Sequence, residues 1–340
     1  MAARASRGES IEYERMILRL EAKVLRPEIG GTTAGTLDPE RFQALIDLRS
    51  SSRSAANNLR AAIVRFVKFA NAEMVRRGAP VRWPTRYAVH GKARSRDSRF
   101  TIEEAARLWI AAGKLGRRGA MVRLMILTGC RRAEAQRVQW GHVVLEDPVL
   151  GAYWQQPGHL TKNHQPHRVP LSGPAVALLR WLPPRVTKHS GRSDLIFAGR
   201  GGKPVGSFQK LVVALRQASG VEAGTMHDLR RTLVSALGDH GFDAQVADAL
   251  LNHAASTTMG GVMAVYQRSD FWQKRREALD LWAGLLMEAV GRIQGRPVDR
   301  VTWGFDEPFR ELRIRYPDEA TQPDAAKIAQ CARWPRGAQA

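Results

Sequence analysis

Five short segments of this 340-residue chain hold side chains able to do chemistry together. In Leu127-Thr-Gly-Cys-Arg-Arg-Ala-Glu134, Gly129 is placed to end one helix and Arg131 to enter the next, a position suited to holding an anion. Glu134, one turn on, can orient the Arg131 guanidinium, although an Arg–Glu pair at this spacing is also an ordinary surface salt bridge. In Thr161-Lys-Asn-His-Gln-Pro-His-Arg-Val-Pro-Leu171, residues 163–166 read as a turn between a strand ending at Leu160 and one starting at His167. Lys162 sits beside that turn, where a flexible ammonium can reach a bound ligand or simply face water. His159, His164 and His167 cluster here as well, but no acid or cysteine accompanies them, so a metal site is not expected. In Met226-His-Asp-Leu-Arg-Arg-Thr232, His227 and Arg230 stand three apart at a helix start and can face one anion together. Leu250-Leu-Asn-His253 closes a further helix, and Val265-Tyr266-Gln-Arg presents a tyrosine hydroxyl. Nothing local marks Tyr266 off from Tyr13, Tyr87, Tyr153 and Tyr316.

Helical periodicity supplies the elements that must position these groups. Helices are expected at 10–26, 38–48, 57–77, 101–113, 119–128, 132–139, 174–183, 207–218, 228–240, 243–251 and 270–290, with strand and turn character from 143 to 171. Leu229, Leu233 and Leu237 repeat at the spacing that anchors a helix to a core, and Thr101 with Glu104 has the form of a capping box. From Gly78 to Ser98 the pattern fails, and an extended basic linker is expected. The fold class is therefore mainly α with one small β-sheet (α+β). The expected organisation is a helical N-terminal domain over 1–92, the end of a basic linker over 93–98, a larger domain over 99–294, and an unexplained C-terminal extension over 295–340.

Charge and composition narrow the partners. The formal net charge is +21, which draws in polyanions. Between Arg53 and Arg99 the only acids are Glu73 and Asp97. Arg53, Arg60, Arg65, Lys68 and Arg76 on the 57–77 helix and its approach, with Arg94 and Arg96 in the linker, are the expected phosphate contacts. Two cysteines, Cys130 and Cys331, are too few for a disulfide framework or a cysteine zinc site. No apolar run is long enough to span a membrane, and the first ten residues lack a signal-peptide core. A protein of the reducing cytoplasm that needs no cofactor is expected.

Taken in order, TGCRRAE, TKNHQPHRVPLS, HDLRRT, LLNH and VYQR, followed by a long amphipathic helix, resemble the tyrosine recombinase (phage integrase) family over roughly residues 97–290. The resemblance implies a helical core-binding domain and a catalytic domain that clamp double-stranded DNA. It assigns Arg131 and Arg230 as the catalytic arginines, supported by Glu134, and Lys162 as the hairpin lysine. His227 and His253 then match the family's two further phosphate-site positions, and Tyr266 the nucleophile. Asn252 departs from the pattern, standing where the family often has glycine. The implied activity is site-specific cutting and rejoining of DNA through a covalent 3′-phosphotyrosine, by a nucleoid-associated homotetramer of bacterial or phage origin that exchanges a C-terminal helix. Two alternatives stay open from sequence: type IB topoisomerase-like strand relaxation and a non-catalytic DNA-binding accessory role.

Overall fold

In a computed structural model the chain divides into two compact units, 1–97 and 98–340, each with its own core. The structure describes residues 12–79, 82–89, 98–161, 163–182, 186–187, 191–252, 271–295 and 298.

In the first unit, α1 (Glu12–Leu20) runs through a π-helical turn (Glu21–Leu25) into α2 (Arg26–Ile29). α3 (Pro39–Asp47) begins where the Asp38 carboxylate accepts from the Glu40 N–H, with Pro39 as its first residue. α4 (Arg53–Arg76) begins four residues earlier than periodicity alone places it, because Ser52 caps it by accepting from the Ala55 N–H. Leu59, Ile63 and Val67 of α4 are fully buried, and Phe42 packs against Phe66, Trp83 and Tyr87 at 5.9–6.2 Å between ring centroids.

Trp83 and Tyr87 correct the expected linker. Residues 82–89 lack regular structure but belong to the first unit's core, because Trp83 and Tyr87 bury their rings there. Asn71 exchanges two hydrogen bonds with the Trp83 backbone, and Gln43 exchanges two with the Ala88 backbone. Four such bonds fix the path of a segment that has no regular structure of its own.

The second unit opens with α5 (Ile102–Gly113), capped reciprocally by Thr101 and Glu104 at 2.8 and 3.1 Å. Apart from Gly116 and Arg118, α6 (Gly116–Thr128) is buried along its length, and it stops at Gly129, which adopts φ +62°. α7 (Arg132–Arg137) follows at once. Three short antiparallel strands come next in the order β1 (Val143–Val144), β2 (Tyr153–Gln156) and β3 (His167–Pro170), with Trp154 opposite Val169. β2 ends at Gln156 rather than at Leu160. Pro157 lacks an N–H for the ladder, and residues Gly158–Leu160 turn into a 3₁₀ helix.

Beyond the sheet lie α8 (Gly173–Trp181) and a two-stranded ribbon of β4 (Val186–Thr187) with β5 (Gly191–Arg192), which periodicity did not reveal. Then come α9 (Phe208–Ser219), α10 (Asp228–Asp239), α11 (Ala244–Leu250) and α12 (Trp272–Gln294). Leu229, Leu233 and Leu237 of α10 are buried, as their spacing predicts. α12 spends its apolar face within its own unit: Leu279, Trp282 and Leu286 are buried, and the Trp282 indole N–H donates to the Ile126 carbonyl at 2.9 Å.

Candidate active site

Two helix ends and two helix beginnings converge in the second unit. α6 and α11 end there, while α7 and α10 start. The C-terminal carbonyls of a helix lack partners inside it and carry partial negative charge, so a cation is favoured beside them. Arg230 fills that role twice. Its guanidinium donates to the Gly129 carbonyl at the end of α6 and to the Leu251 carbonyl at the end of α11, the latter at 3.0 Å. The side chain is 4% exposed, and burial together with the nearby Arg131 charge brings its pKa down to about 10. Arg230 thus stays a cation at neutral pH, with its plane set by two backbones that come from different parts of the sequence.

Arg131 is the N-cap residue of α7. The buried Glu134 carboxylate accepts from its backbone N–H at 2.7 Å and from its guanidinium at 2.9 Å. The Arg131 side chain remains 25% exposed, so one part is fixed while another faces outward. Its charge reaches far enough to depress the pKa of Arg230, His227 and His167 alike. These four residues therefore share one electrostatic neighbourhood.

His227 precedes α10 and is exposed. Partial desolvation, then the charges of Arg230, Arg231 and Arg131, hold its pKa below the ordinary histidine value against the opposing pull of Asp228. A neutral imidazole able to accept a proton is the result. The helix start itself is well anchored. The Asp228 carboxylate accepts from the Thr225 backbone and hydroxyl at 2.7 and 2.9 Å, and the Thr232 hydroxyl accepts from the Phe100 N–H at 2.9 Å.

The sequence places His167 at a strand start and in a histidine cluster, but not among the phosphate-site residues. It is the first residue of β3 and is buried, and its Nε2 lies 3.0 Å from the Leu250 carbonyl. Because a carbonyl only accepts, Nε2 carries the proton. Burial is the main reason that its pKa falls to about 4, so the ring is neutral. The available signal was alternation: His167 and Val169 share the inward face of the strand. His164 is instead exposed, and among the described residues no group of three or more His, Cys, Asp or Glu is placed to hold a metal ion. Cys130, fully enclosed, has its thiol pushed up to about 12, which removes it as a nucleophile.

Lys162, His253 and Tyr266 lie outside the described residues, as do Arg94 and Arg96. In the first unit Arg53, Arg60, Arg65, Lys68 and Arg76 are all exposed on α4, away from its buried stripe. Arg76 is already held by Glu73 through two hydrogen bonds of 3.0 and 2.6 Å, while Arg77 shares the same carboxylate. None of the described helices is long and apolar enough to cross a membrane.

Comparison with known proteins places this geometry in context. Residues 99–270 match the phage integrase family. A prophage integrase of Escherichia coli K12, IntA, is 31% identical over 166 residues, which span 48% of this chain and 37% of that protein. A second, IntZ, is 26% identical over 298 residues, or 86% of this chain and 70% of that protein. The chain thus matches well under half the length of the first of these relatives. Among solved structures, a lambda integrase fragment (residues 75–356), crystallised as a dimer bound to a core DNA site, superposes with a TM-score of 0.53 at 20% identity. That match covers 75% of this chain and 92% of the fragment. The XerH site-specific recombinase in its pre-cleavage complex gives 0.51 at 16% identity, covering 75% of this chain and 74% of XerH. Both likenesses bear on the fold.

Proposed function

Because the chain belongs to the phage integrase family, we propose that it cuts and rejoins double-stranded DNA at specific sites through a covalent 3′-phosphotyrosine, with Tyr266 as the nucleophile. The observation that carries this reading is the convergence of Arg131 with Arg230 and a neutral His227 from two segments about a hundred residues apart. Attack on a phosphodiester builds negative charge on the two non-bridging oxygens of a five-coordinate phosphorus. Two guanidiniums held in fixed planes answer that charge with paired donors, at little reorganisation cost.

In the proposed step the Tyr266 oxygen bonds to phosphorus while the bond from phosphorus to the 5′-oxygen breaks. The phenol proton passes to His227, which is kept neutral and able to accept it. Lys162 gives a proton to the departing 5′-oxygen, and His253 adds a hydrogen bond to the phosphate. The phosphotyrosine conserves the bond energy of the broken linkage. A 5′-hydroxyl from another strand can therefore reverse the step and join without an outside energy source.

Binding precedes this chemistry. The exposed cations of α4 provide a sequence-independent grip on the phosphate backbone, to which Arg94 and Arg96 are proposed to add. Assembly as a homotetramer on DNA, in the cytoplasm and on nucleoid DNA, belongs to the same proposal. Exchange of a C-terminal helix between protomers is part of it, although Leu279, Trp282 and Leu286 of α12 are buried in its own unit.

The test uses nicked duplexes tiled across the DNA that flanks the gene. The nick lets the cleaved fragment diffuse away and traps the protein–DNA adduct. An adduct with the wild-type chain and none with Tyr266→Phe, at equal DNA binding, is the expected outcome. A normal adduct with Tyr266→Phe would remove the residue from its role. Relaxation of supercoils without a second site would favour topoisomerase-like action instead.

A further inference from the structure

The hairpin turn that follows Lys162 is joined to the turn that precedes His253 by a reciprocal pair of side-chain amides. Asn163 Nδ2 donates to Asn252 Oδ1 at 2.7 Å, and Asn252 Nδ2 donates back to Asn163 Oδ1 at 3.2 Å. The two residues are 89 positions apart, so nothing local requires them to meet. Asn163 Oδ1 also accepts from the Gln165 N–H at 3.3 Å, which ties the clasp to the hairpin's own turn.

Asn252 itself is held at φ +51°, in the left-handed region. Glycine occupies that region with least strain, and asparagine is among the few other residues that tolerate it. A glycine would make this turn more cheaply but could make neither amide bond. The asparagine is therefore explained by its partner rather than by the turn. One strand-length away, His167 donates to the Leu250 carbonyl, so the base of the hairpin is fixed to the same helix end. Between these two ties, His164, Gln165 and Pro166 are exposed.

We propose that the Asn163–Asn252 amide pair is a positioning clasp, which ties the hairpin residue that follows Lys162 in the chain to the helix-end residue that precedes His253 and so sets the acid beside the phosphate. This inference rests on the strand-cleavage reading given above. Asn163 and Asn252 touch no reacting atom; they act through their chain neighbours. A general acid displaced by a fraction of an ångström to an ångström loses much of its effect, so about a tenfold fall in cleavage rate is expected when the clasp is opened.

The experiment compares the wild-type chain with Asn252→Gly, Asn163→Ala and the double variant. Asn252→Gly keeps the left-handed turn, and Asn163→Ala alters a partly exposed hairpin position, so neither threatens the core. The probe is the core duplex that the wild-type chain captures from the tiled DNA, made with either oxygen or sulfur bridging to the 5′-carbon. A thiol's pKa lies near 8.5, far below that of an alcohol hydroxyl, so the sulfur leaves as thiolate without an acid's help.

Each single variant should form adduct about tenfold more slowly on the oxygen duplex, and the double variant no more slowly than either single one. On the sulfur duplex all three should return to near the wild-type rate. Wild-type cleavage on oxygen, additive losses, or losses that sulfur does not relieve would each overturn the clasp. A readout independent of activity is trypsin cleavage of the Lys162–Asn163 bond in the native protein, followed by mass spectrometry. Faster cutting in the variants supports the clasp, and unchanged cutting refutes it. If the wild-type chain forms no adduct at all, the cleavage reading fails, and the trypsin comparison still decides the clasp.

Discussion

The α4 helix and the neighbourhood of Arg230 both gather cations, but they hold them in opposite ways. On α4, Arg60, Arg65 and Lys68 extend into solvent from a helix whose other face is buried. Around Arg230 the guanidinium is enclosed, with two helix C-termini fixing its orientation. An exposed, mobile cation costs nothing to keep in water, and it attracts a polyanion without regard to sequence, in a manner that salt weakens. A buried cation costs desolvation that must be offset by neighbouring dipoles, and in return it is already aimed. Under the proposed function, this difference separates binding from chemistry within one chain.

If that division holds, the largest effect belongs to Arg230. Arg230→Ala should slow adduct formation by ~10²–10³-fold or more, as for loss of an oxyanion-hole donor, while DNA affinity in a gel-shift assay changes far less. Arg230→Lys should recover little, since an ammonium cannot reach the Gly129 and Leu251 carbonyls and present a planar fork together. A lysine variant with near-normal cleavage would break the distinction between aimed and merely positive groups.

The α4 cations should show the converse. Replacing Arg60, Arg65 and Lys68 together by alanine should weaken binding to every duplex and lower the salt slope of binding by about one for each phosphate no longer neutralised. Cleavage at saturating DNA should be unchanged. Arg76→Ala alone should do less, because Glu73 already occupies that guanidinium. A loss confined to one DNA sequence would mean that these side chains read bases.

His167 gives a smaller, pH-dependent effect. An unfolded chain's histidine, near its ordinary 6.5, takes up a proton before the folded His167 does at about 4. The contribution of the buried neutral ring is therefore complete above about pH 6.5 and drains away as pH falls towards 4, over roughly 3 kcal/mol. Arg131, Glu134 and Arg275 are the charges that reach it. The stability gap between wild type and His167→Gln, read from urea midpoints, should narrow across that window; parallel curves would contradict a neutral buried ring.

Gly129→Ala should cost least, about 1–2 kcal/mol of stability, for strain at φ +62° and a new Cβ 3.1 Å from Leu251 Cδ2. It should also slow cleavage slightly, since the Gly129 carbonyl helps to hold Arg230.

How much of this was legible in sequence depended on the range of the forces involved. Helix ends were readable because their signals are local: Gly129 stops α6, Thr101 and Glu104 cap α5, and the Leu229–Leu233–Leu237 spacing lays α10 on the core. Those ends placed Arg131, Glu134, His227 and Arg230 correctly on their elements. Residues 82–89, although inside the expected 1–92 domain, read locally as linker because the bonds that fix them come from Asn71 and Gln43, 12 and 45 positions away. The partners of His167, and the Asn163–Asn252 pair, were hidden for the same reason. The end of β2 was misjudged because Pro157 was not weighed against the ladder it interrupts.

Under the proposed function, a phosphate site built on Arg131 and Arg230 serves a tyrosine nucleophile. The adduct trapped on a nicked duplex can be digested with protease and nuclease, and the peptide that retains a nucleotide identified by mass spectrometry. A nucleotide is expected on the peptide containing Tyr266 and on no other. A nucleotide on Tyr13, Tyr87, Tyr153 or Tyr316, or no adduct with any duplex that the protein binds tightly, would contradict it.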